Sequence, residues 1–442
     1  MRRLLCLLAL LLICLPTDTV KGEETESRFV KVPEILLFTQ HTVENLDKKL
    51  KLGDRRTYPD TASKAVNEQV SALVDELAEK TKAHMPARGR SGTAWLDTGA
   101  TVYVTGTRTA SFLVLSHVLN NKEQTAVELG SLVFDLKTGQ ALTPDDILME
   151  DANDYVREQV ISQVTDYFPG SEPDQQALSQ AADGWRQACF SLSPAYLLLH
   201  FRADSFYEKR TTTVHVRIPY KALEPFMTDY ARRETDNSRY LLACPTFDDG
   251  PGRGVTQSIL ILLREQSGRG TFFNCGAPMR KAHDYVAWEH DAGHAVQSHT
   301  YSHTFKLTDK KKMFKERDRF AKEQAEIIGK APEYMRAPGG SDKLYCDYEI
   351  GMPIIRWTTL STDASEKVNI NNAHATFVHT LHPSSVILMH NVRWSSLDVA
   401  RVILASLRER GYMTVTVDEL FSIRDIELEN NKVYFGYEAD GE

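Results

Sequence analysis

Residues 240–251 read Tyr-Leu-Leu-Ala-Cys-Pro-Thr-Phe-Asp-Asp-Gly-Pro, an apolar run of strand length that stops on two adjacent carboxylates and a turn. Side chains of successive strand residues face opposite ways, so Asp248 and Asp249 can share a pocket only where the strand has ended. Gly250-Pro251 is a good terminator at that point. Comparable apolar runs recur at 270–274, 294–298, 334–337, 354–359, 385–389 and 412–417. Helical patterns at 256–266, 309–328, 373–381 and 397–410 separate most of them. Strands alternating with crossover helices predict right-handed βαβ units around a parallel sheet or barrel, an α/β fold. In such barrels the chemistry gathers at the C-terminal strand ends. Asp248, Asp249, His299, Arg336, Asp363 and His390 all fall at or just beyond those ends.

About fifty residues after the paired carboxylates comes His299-Thr300-Tyr301-Ser302-His303. A zinc-type catalytic site takes three protein ligands and leaves one position open for water. Asp249, His299 and His303 would fill the three, leaving Asp248 free to take a proton from that water. Each motif is ambiguous alone. An Asp-Asp-Gly-Pro turn is common in loops, and two histidines four apart stack on any helix face. Nor is this the His-Glu-x-x-His of zincins, because Thr300 stands at the glutamate position. Both motifs at the ends of consecutive strand–helix units point to one shared site and to metal-assisted hydrolysis. An Asp-His-His set suits zinc first and also accepts cobalt, nickel or manganese.

The C-terminal half resembles the polysaccharide deacetylases, the NodB-homology or carbohydrate esterase family 4 domain. Thr246-Phe247-Asp248-Asp249-Gly250-Pro251 is similar to the first family motif and His299-Thr300-x-x-His303 to the second. Arg336-Ala337-Pro338-Gly339-Gly340 resembles the third, Trp357 through Asp363 the fourth and Leu388-Met389-His390 the fifth. The resemblance spans roughly 240–420 and implies a distorted (β/α) barrel. It implies Asp248 as general base and Asp249, His299 and His303 as ligands of a divalent metal. Arg336 would hold Asp248 charged and oriented, and His390 would act as general acid, with Asp363 orienting it. Leu388 would form an apolar wall for the acetyl methyl, and the backbone N–H just after Pro338, that of Gly339, would donate to an oxyanion. Two positions depart from the family pattern. Gly339 stands where an aromatic is common, and Ala364 where the family has a tryptophan, so the expected aromatic groove wall is missing.

The chain of 442 residues is too long for one ordinary core, and the upstream half has a different rhythm. A helical pattern at 62–83 precedes alternating strands at 101–105, 110–120 and 125–136. A second helix near 151–167 precedes strands at 195–202 and 212–218. This predicts a smaller α+β domain ahead of the barrel. Phe134-Asp135-Leu136-Lys137-Thr138-Gly139 and the stretch from Phe190-Ser191-Leu192 to Phe201 resemble the companion domain of two-domain peptidoglycan deacetylases of Gram-positive bacteria. Arg2-Arg3, an apolar run from Leu4 to Leu15 and small residues near Gly22 describe a secretory signal peptide. The expected organisation is a signal peptide over 1–22, an α+β companion over 28–228, a polar linker over 229–239, the deacetylase domain over 240–425 and a C-terminal tail over 426–442. Export permits disulfides, but the sparse spacing of Cys189, Cys244, Cys275 and Cys346 favours free thiols.

A net charge of -8 argues against nucleic acid as a partner. The lysine-rich run 310–322 keeps apolar residues at helical spacing and reads as a solvated helix face. Contact with a membrane is expected only through the N-terminal segment, if it stays uncleaved. The resulting expectation is a secreted, metal-dependent hydrolase removing N-acetyl groups from amino sugars, with peptidoglycan as the glycan and N-acetylglucosamine or N-acetylmuramic acid as the sugar. The alternatives are an O-acetyl esterase on xylan or a similar polysaccharide and a non-catalytic cell-wall glycan-binding protein.

Overall fold

Strands β1 (Thr39–Asp47) and β2 (Leu52–Asp60) open a six-stranded sheet completed in order by β3 (Ala94–Thr105), β4 (Thr109–Asn120), β5 (Glu123–Asp135) and β6 (Gln140–Leu142). The computed structural model describes residues 28–89, 92–120, 123–304, 309–365 and 367–436, so the expected signal peptide lies outside the described residues. Neighbours pair antiparallel except β2 and β3, which run parallel because the helix Lys64–Lys82 makes the crossover between them. That helix starts where Ser63 Oγ accepts the Val66 N–H, and it buries Val66, Val70, Val74, Leu77 and Ala78 along one stripe. A second sheet of β7 (Cys189–Leu192), β8 (Tyr196–Arg202) and β9 (Thr213–Pro219) is antiparallel and packs with the helices Asn153–Thr165 and Gln175–Asp183.

The stretch expected as a linker is ordered by its own polar groups. Residues Asp229–Glu234 form a helix capped by Thr228. The buried Glu234 carboxylate accepts the Thr107 N–H at 2.7 Å, and Asn237 Nδ2 donates to the Pro194 carbonyl at 2.8 Å. Glu234 and Asn237, polar residues of a kind usually solvated, are here satisfied inside the protein, so the segment is a packed connection.

The C-terminal half is a distorted (β/α) barrel. Its centre is β10 (Leu242–Asp248), buried along its whole length. Parallel partners follow on one side as β11 (Thr271–Asn274) and β12 (Ala295–Ser298). Single parallel bridges then lead from Ser298 to Met335 and from Met335 to Ile354. From β13 (Ile354–Ile355) the chain runs, without strand pairing, to β14 (Thr359–Leu360), which pairs β15 (Ser385–His390), and β15 pairs β10 on its other edge. The strand expected at 334–337 is thus reduced to bridges at Met335. Two short strands fill the lower gaps. β16 (Met413–Thr414) pairs Leu242 and Ala243, and β17 (Val433–Tyr434) pairs Ile354 and Ile355. Part of the stretch expected as a tail therefore belongs to the sheet. Pro245 is tolerated in a central strand because it falls between the β16 and β11 pairings of β10.

The two halves share buried apolar clusters. One joins Leu113 and Leu115 of β4 to Phe247, Ile259 and Leu263 of the barrel. A buried ion cluster crosses the same boundary, with Asp97 Oδ2 accepting from Arg264 Nη2 at 2.6 Å and Asp97 Oδ1 from Arg55 Nη1 at 3.1 Å. Nearby, His200 and His215 touch Nδ1 to Nδ1 at 2.8 Å, and the His215 ring lies 4.9 Å from that of His290. Among the described residues, Cys189, Cys244, Cys275 and Cys346 are free thiols. The helix Lys310–Ile328 buries Met313, Phe320, Gln324 and Ile328 and turns Lys310, Lys311 and Lys312 outward, as a solvated face. Among the described residues, no helix is long and apolar enough to cross a membrane.

Candidate active site

β10 ends at Asp248, and the chain then turns sharply, with Asp249 at φ +73°. This left-handed backbone is unusual for a residue with a side chain, and it lets two consecutive carboxylates face one site. Gly250 permits the turn's close packing, because a Cβ there would lie 2.3 Å from Asn391 Nδ2. The two histidines are not on a helix. They sit in the loop after β12, where Thr300 and His303 both have positive φ, at +65° and +54°. The folded loop brings the imidazole centroids to 4.9 Å.

Asp249, His299 and His303 each present one ligand atom, and these atoms lie within 4.8 Å of one another. Asp249 Oδ1 is 3.0 Å from His303 Nε2 and 3.5 Å from His299 Nε2. Burial pushes the Asp249 carboxyl up, yet its contacts with the two histidines outweigh burial and hold it below the usual carboxylate range. The His299 Nδ1 lies 2.9 Å from the Arg336 carbonyl oxygen, which can only accept. Nδ1 therefore carries a hydrogen, which leaves Nε2 as the nitrogen that faces Asp249. One carboxylate oxygen and two imidazole nitrogens facing a common point fit a divalent cation by the chemistry of the donors.

Asp248 is held from behind. Arg336 Nη1 donates to Asp248 Oδ1 at 2.7 Å and to Thr246 Oγ1 at 2.6 Å. Residues 246 and 248 share a strand face by the two-residue period, so one guanidinium reaches both. Arg336 is fully buried and packs over the Phe273 ring at 4.1 Å. Its Nε donates to the Ile355 carbonyl and its Nη2 to that of Arg356. Burial lowers the guanidinium's pKa from its ordinary value, against the pull of Asp248.

His390 ends β15 and is the register partner of Asp248 on β10. Its backbone N–H donates to Asp363 Oδ2 at 2.8 Å, and its Nδ1 meets Asp363 Oδ1 at 3.0 Å. Ser361 Oγ donates to the same Oδ1 at 2.7 Å. Burial would lower the His390 pKa, but the bond to Asp363 outweighs it and the net direction is upward. Burial would raise Asp363, and the same bond carries it below its ordinary value. The pair favours an imidazolium whose Nε2 remains available.

Pro338 is buried, and Gly339 follows at φ +60°, a backbone that favours glycine. The aromatic expected from the family pattern at 339 would be strained there. Leu388 is half-buried two residues before His390, on the same face of β15. Thr246, Ser361 and Phe273 are supporting residues that were not expected. Thr246 and Ser361 had a signal, since each sits two positions before a site aspartate, Asp248 and Asp363.

Residues 238–348 match the family model described as Polysaccharide deacetylase. The peptidoglycan-N-acetylglucosamine deacetylase PgdA of Listeria monocytogenes is 25% identical over 320 residues, covering 69% of this chain and 66% of that protein. A peptidoglycan-N-acetylglucosamine deacetylase of Bacillus cereus is 33% identical over 183 residues, 38% of this chain and 66% of that one. The peptidoglycan-N-acetylmuramic acid deacetylase PdaA of Bacillus subtilis is 25% identical over 219 residues, covering 47% and 80%. The chain thus spans slightly under two thirds of the Listeria and B. cereus proteins.

Proposed function

We propose that this chain, which carries a polysaccharide deacetylase domain in its C-terminal half, hydrolyses N-acetyl groups on the amino sugars of peptidoglycan with a bound divalent metal, zinc first among the candidates. The observation that carries the reading is convergence. The Asp249, His299 and His303 ligand atoms face one point, with Asp248 and His390 register partners on adjoining strands beside it. Relatives described as deacetylating N-acetylglucosamine or N-acetylmuramic acid in peptidoglycan support the substrate class. An N-terminal segment with the pattern of a secretory signal supports action outside the membrane, on the cell wall.

Asp249, His299 and His303 would hold the metal, with Arg336 fixing the His299 tautomer through its carbonyl oxygen. The bound metal would supply Lewis-acid polarisation and a more acidic water. Asp248, paired with and oriented by Arg336, takes a proton from the attacking water as general base. His390, protonated and fixed at Nδ1 by Asp363, delivers a proton from Nε2 to the departing sugar amine. The C–N bond of the acetamide breaks, and acetate and a free amine leave. Pro338, Gly339 and Leu388 line the acyl side, where the Gly339 N–H serves as oxyanion donor and Leu388 as the wall for the methyl group.

The test is acetate release by the metal-loaded protein from peptidoglycan and from N-acetylglucosamine oligomers, with Asp248→Ala as control. Release that the substitution abolishes supports the reading. Release from acetylated xylan alone would transfer the site to ester hydrolysis.

A further inference from the structure

Trp394 is the most exposed large apolar side chain among the described residues, at 62%. It stands four residues beyond His390, at the start of the helix Trp394–Glu409 that follows β15. The turn leading to it is firmly built. Arg393 Nη1 donates to the Ala364 carbonyl oxygen at 3.1 Å, tying this turn to the loop that bears Asp363. A Cβ on Gly252 would lie 2.6 Å from the Asn391 carbonyl oxygen and 2.8 Å from Val392 Cα, so the loop after Asp249 also packs directly against it. Gly254 sits beneath the indole, where an added Cβ would be 3.4 Å from Trp394 Cζ2. Loops from three strands, carrying Asp248 and Asp249, Asp363 and His390, therefore meet around the base of one tryptophan whose remaining surface is open.

The exposure is not isolated. Val392 on the same turn and Leu360, the register partner of Leu388, are each more than a third exposed. Scattered single apolar residues are ordinary on a surface, but three at the end of two adjacent strands beside paired acid–base groups mark a contact surface. Their chemistry selects the occupant. A pyranose ring carries polar groups around its edge and C–H bonds on its faces, and those faces pack on an indole while the edge stays hydrated. The groups that the family pattern would use as an aromatic wall are Ala364 and Gly339 here, and neither can provide a ring.

We propose that Trp394 is a sugar platform. It stacks the pyranose next to the one that loses its acetyl group, and so sets the preference for glycan chains over single sugars. The inference rests on the reading of the site as an amino-sugar deacetylase. Trp394 is a specificity-determining residue in this account and takes no part in proton transfer.

Wild-type protein, Trp394→Ala and Trp394→Phe are compared, metal-loaded, on the dimer and tetramer of N-acetylglucosamine. Calorimetry in an Asp248→Asn background gives the tetramer Kd without turnover. The expected result is a KM and Kd for the tetramer raised about five- to tenfold in Trp394→Ala, a smaller rise for the dimer and substantial rescue in Trp394→Phe. The melting temperature serves as a check on folding. A tetramer Kd that Trp394→Ala leaves unchanged overturns the platform, as does absence of tetramer binding by the parent protein. Trp394-dependent binding without acetate release by the wild type keeps the platform and rejects the deacetylase reading.

Discussion

His299 gives its Nδ1 hydrogen to the carbonyl oxygen of Arg336 at 2.9 Å, and the guanidinium of the same arginine holds Asp248 at 2.7 Å. One buried residue therefore sets the ligand tautomer of a histidine through its backbone and anchors an adjacent carboxylate through its side chain. Loss of the side chain separates these two effects.

Arg336→Met keeps the backbone acceptor and removes the countercharge of a carboxylate that is only 3% exposed. Leaving one member of a buried ion pair unpaired typically costs about 3–5 kcal/mol. Asp248 then loses the group that holds it in place as base. We expect kcat to fall at least about a hundredfold, with metal affinity changed far less. Parallel kinetics and metal titration check this split.

A metal held by Asp249, His299 and His303 would stabilise the folded chain. At a free concentration of one hundred times Kd, linkage adds about 2.7 kcal/mol. Thermal melts with zinc and with a chelator should differ by several degrees in the wild type. In His303→Ala the difference should shrink sharply, because one of three donors is gone. A chelator-insensitive wild-type melt would remove the metal from the account.

The Asp363–His390 pair should make activity depend on pH in a defined direction. His390 is raised above its ordinary value, so the stability it gains from the pair is full below that value and is lost as pH rises through the folded pKa. Asp363 is lowered, so its share is present above its ordinary value and lost as pH falls through the folded one. If protonated His390 is the acid, kcat declines on the alkaline side. Asp363→Asn should move that alkaline limb to lower pH, which a kcat–pH profile measures directly.

The junction between the halves should be acid-sensitive. Burial lowers the pKa of His215 to about 4 and carries His200 and His290 well below the ordinary histidine range. A buried neutral histidine takes up its proton only on unfolding, so the unfolded chain binds more protons below about pH 6.5. Stability should therefore fall as pH drops from about 6.5 toward 4, and urea midpoints between those limits test it. The His200→Gln, His215→Gln double variant should show a flatter dependence.

The barrel was legible because its strands are buried runs bounded by turns and separated by helices, and their ends carry the polar residues. Asp248, Asp249, His299, His303, Arg336, Asp363 and His390 converge, as their positions at strand ends suggested. What stayed hidden has physical causes. β1 mixes polar and apolar residues and is largely exposed, so Thr39–Asp47 shows no buried face. The helix Asp229–Glu234 has linker composition, and its distant partners Thr107 and Arg108 explain why Glu234 is buried. The Asp97–Arg264 pair joins residues 167 positions apart, beyond any local pattern. The left-handed conformations of Asp249, Thr300 and His303 likewise have no glycine to announce them.

The central claim is that Asp248 and the Asp249–His299–His303 set together remove acetyl groups from cell-wall amino sugars. It is tested most directly by incubating peptidoglycan with the zinc-loaded protein and with its Asp248→Asn variant, then measuring released acetate and the masses of the resulting muropeptides. The account predicts acetate in equal amount to new free amines with the wild type and a loss of at least about a hundredfold in the variant. Metal-loaded wild-type protein that leaves every muropeptide acetylated, or a variant that releases acetate at the wild-type rate, would contradict it.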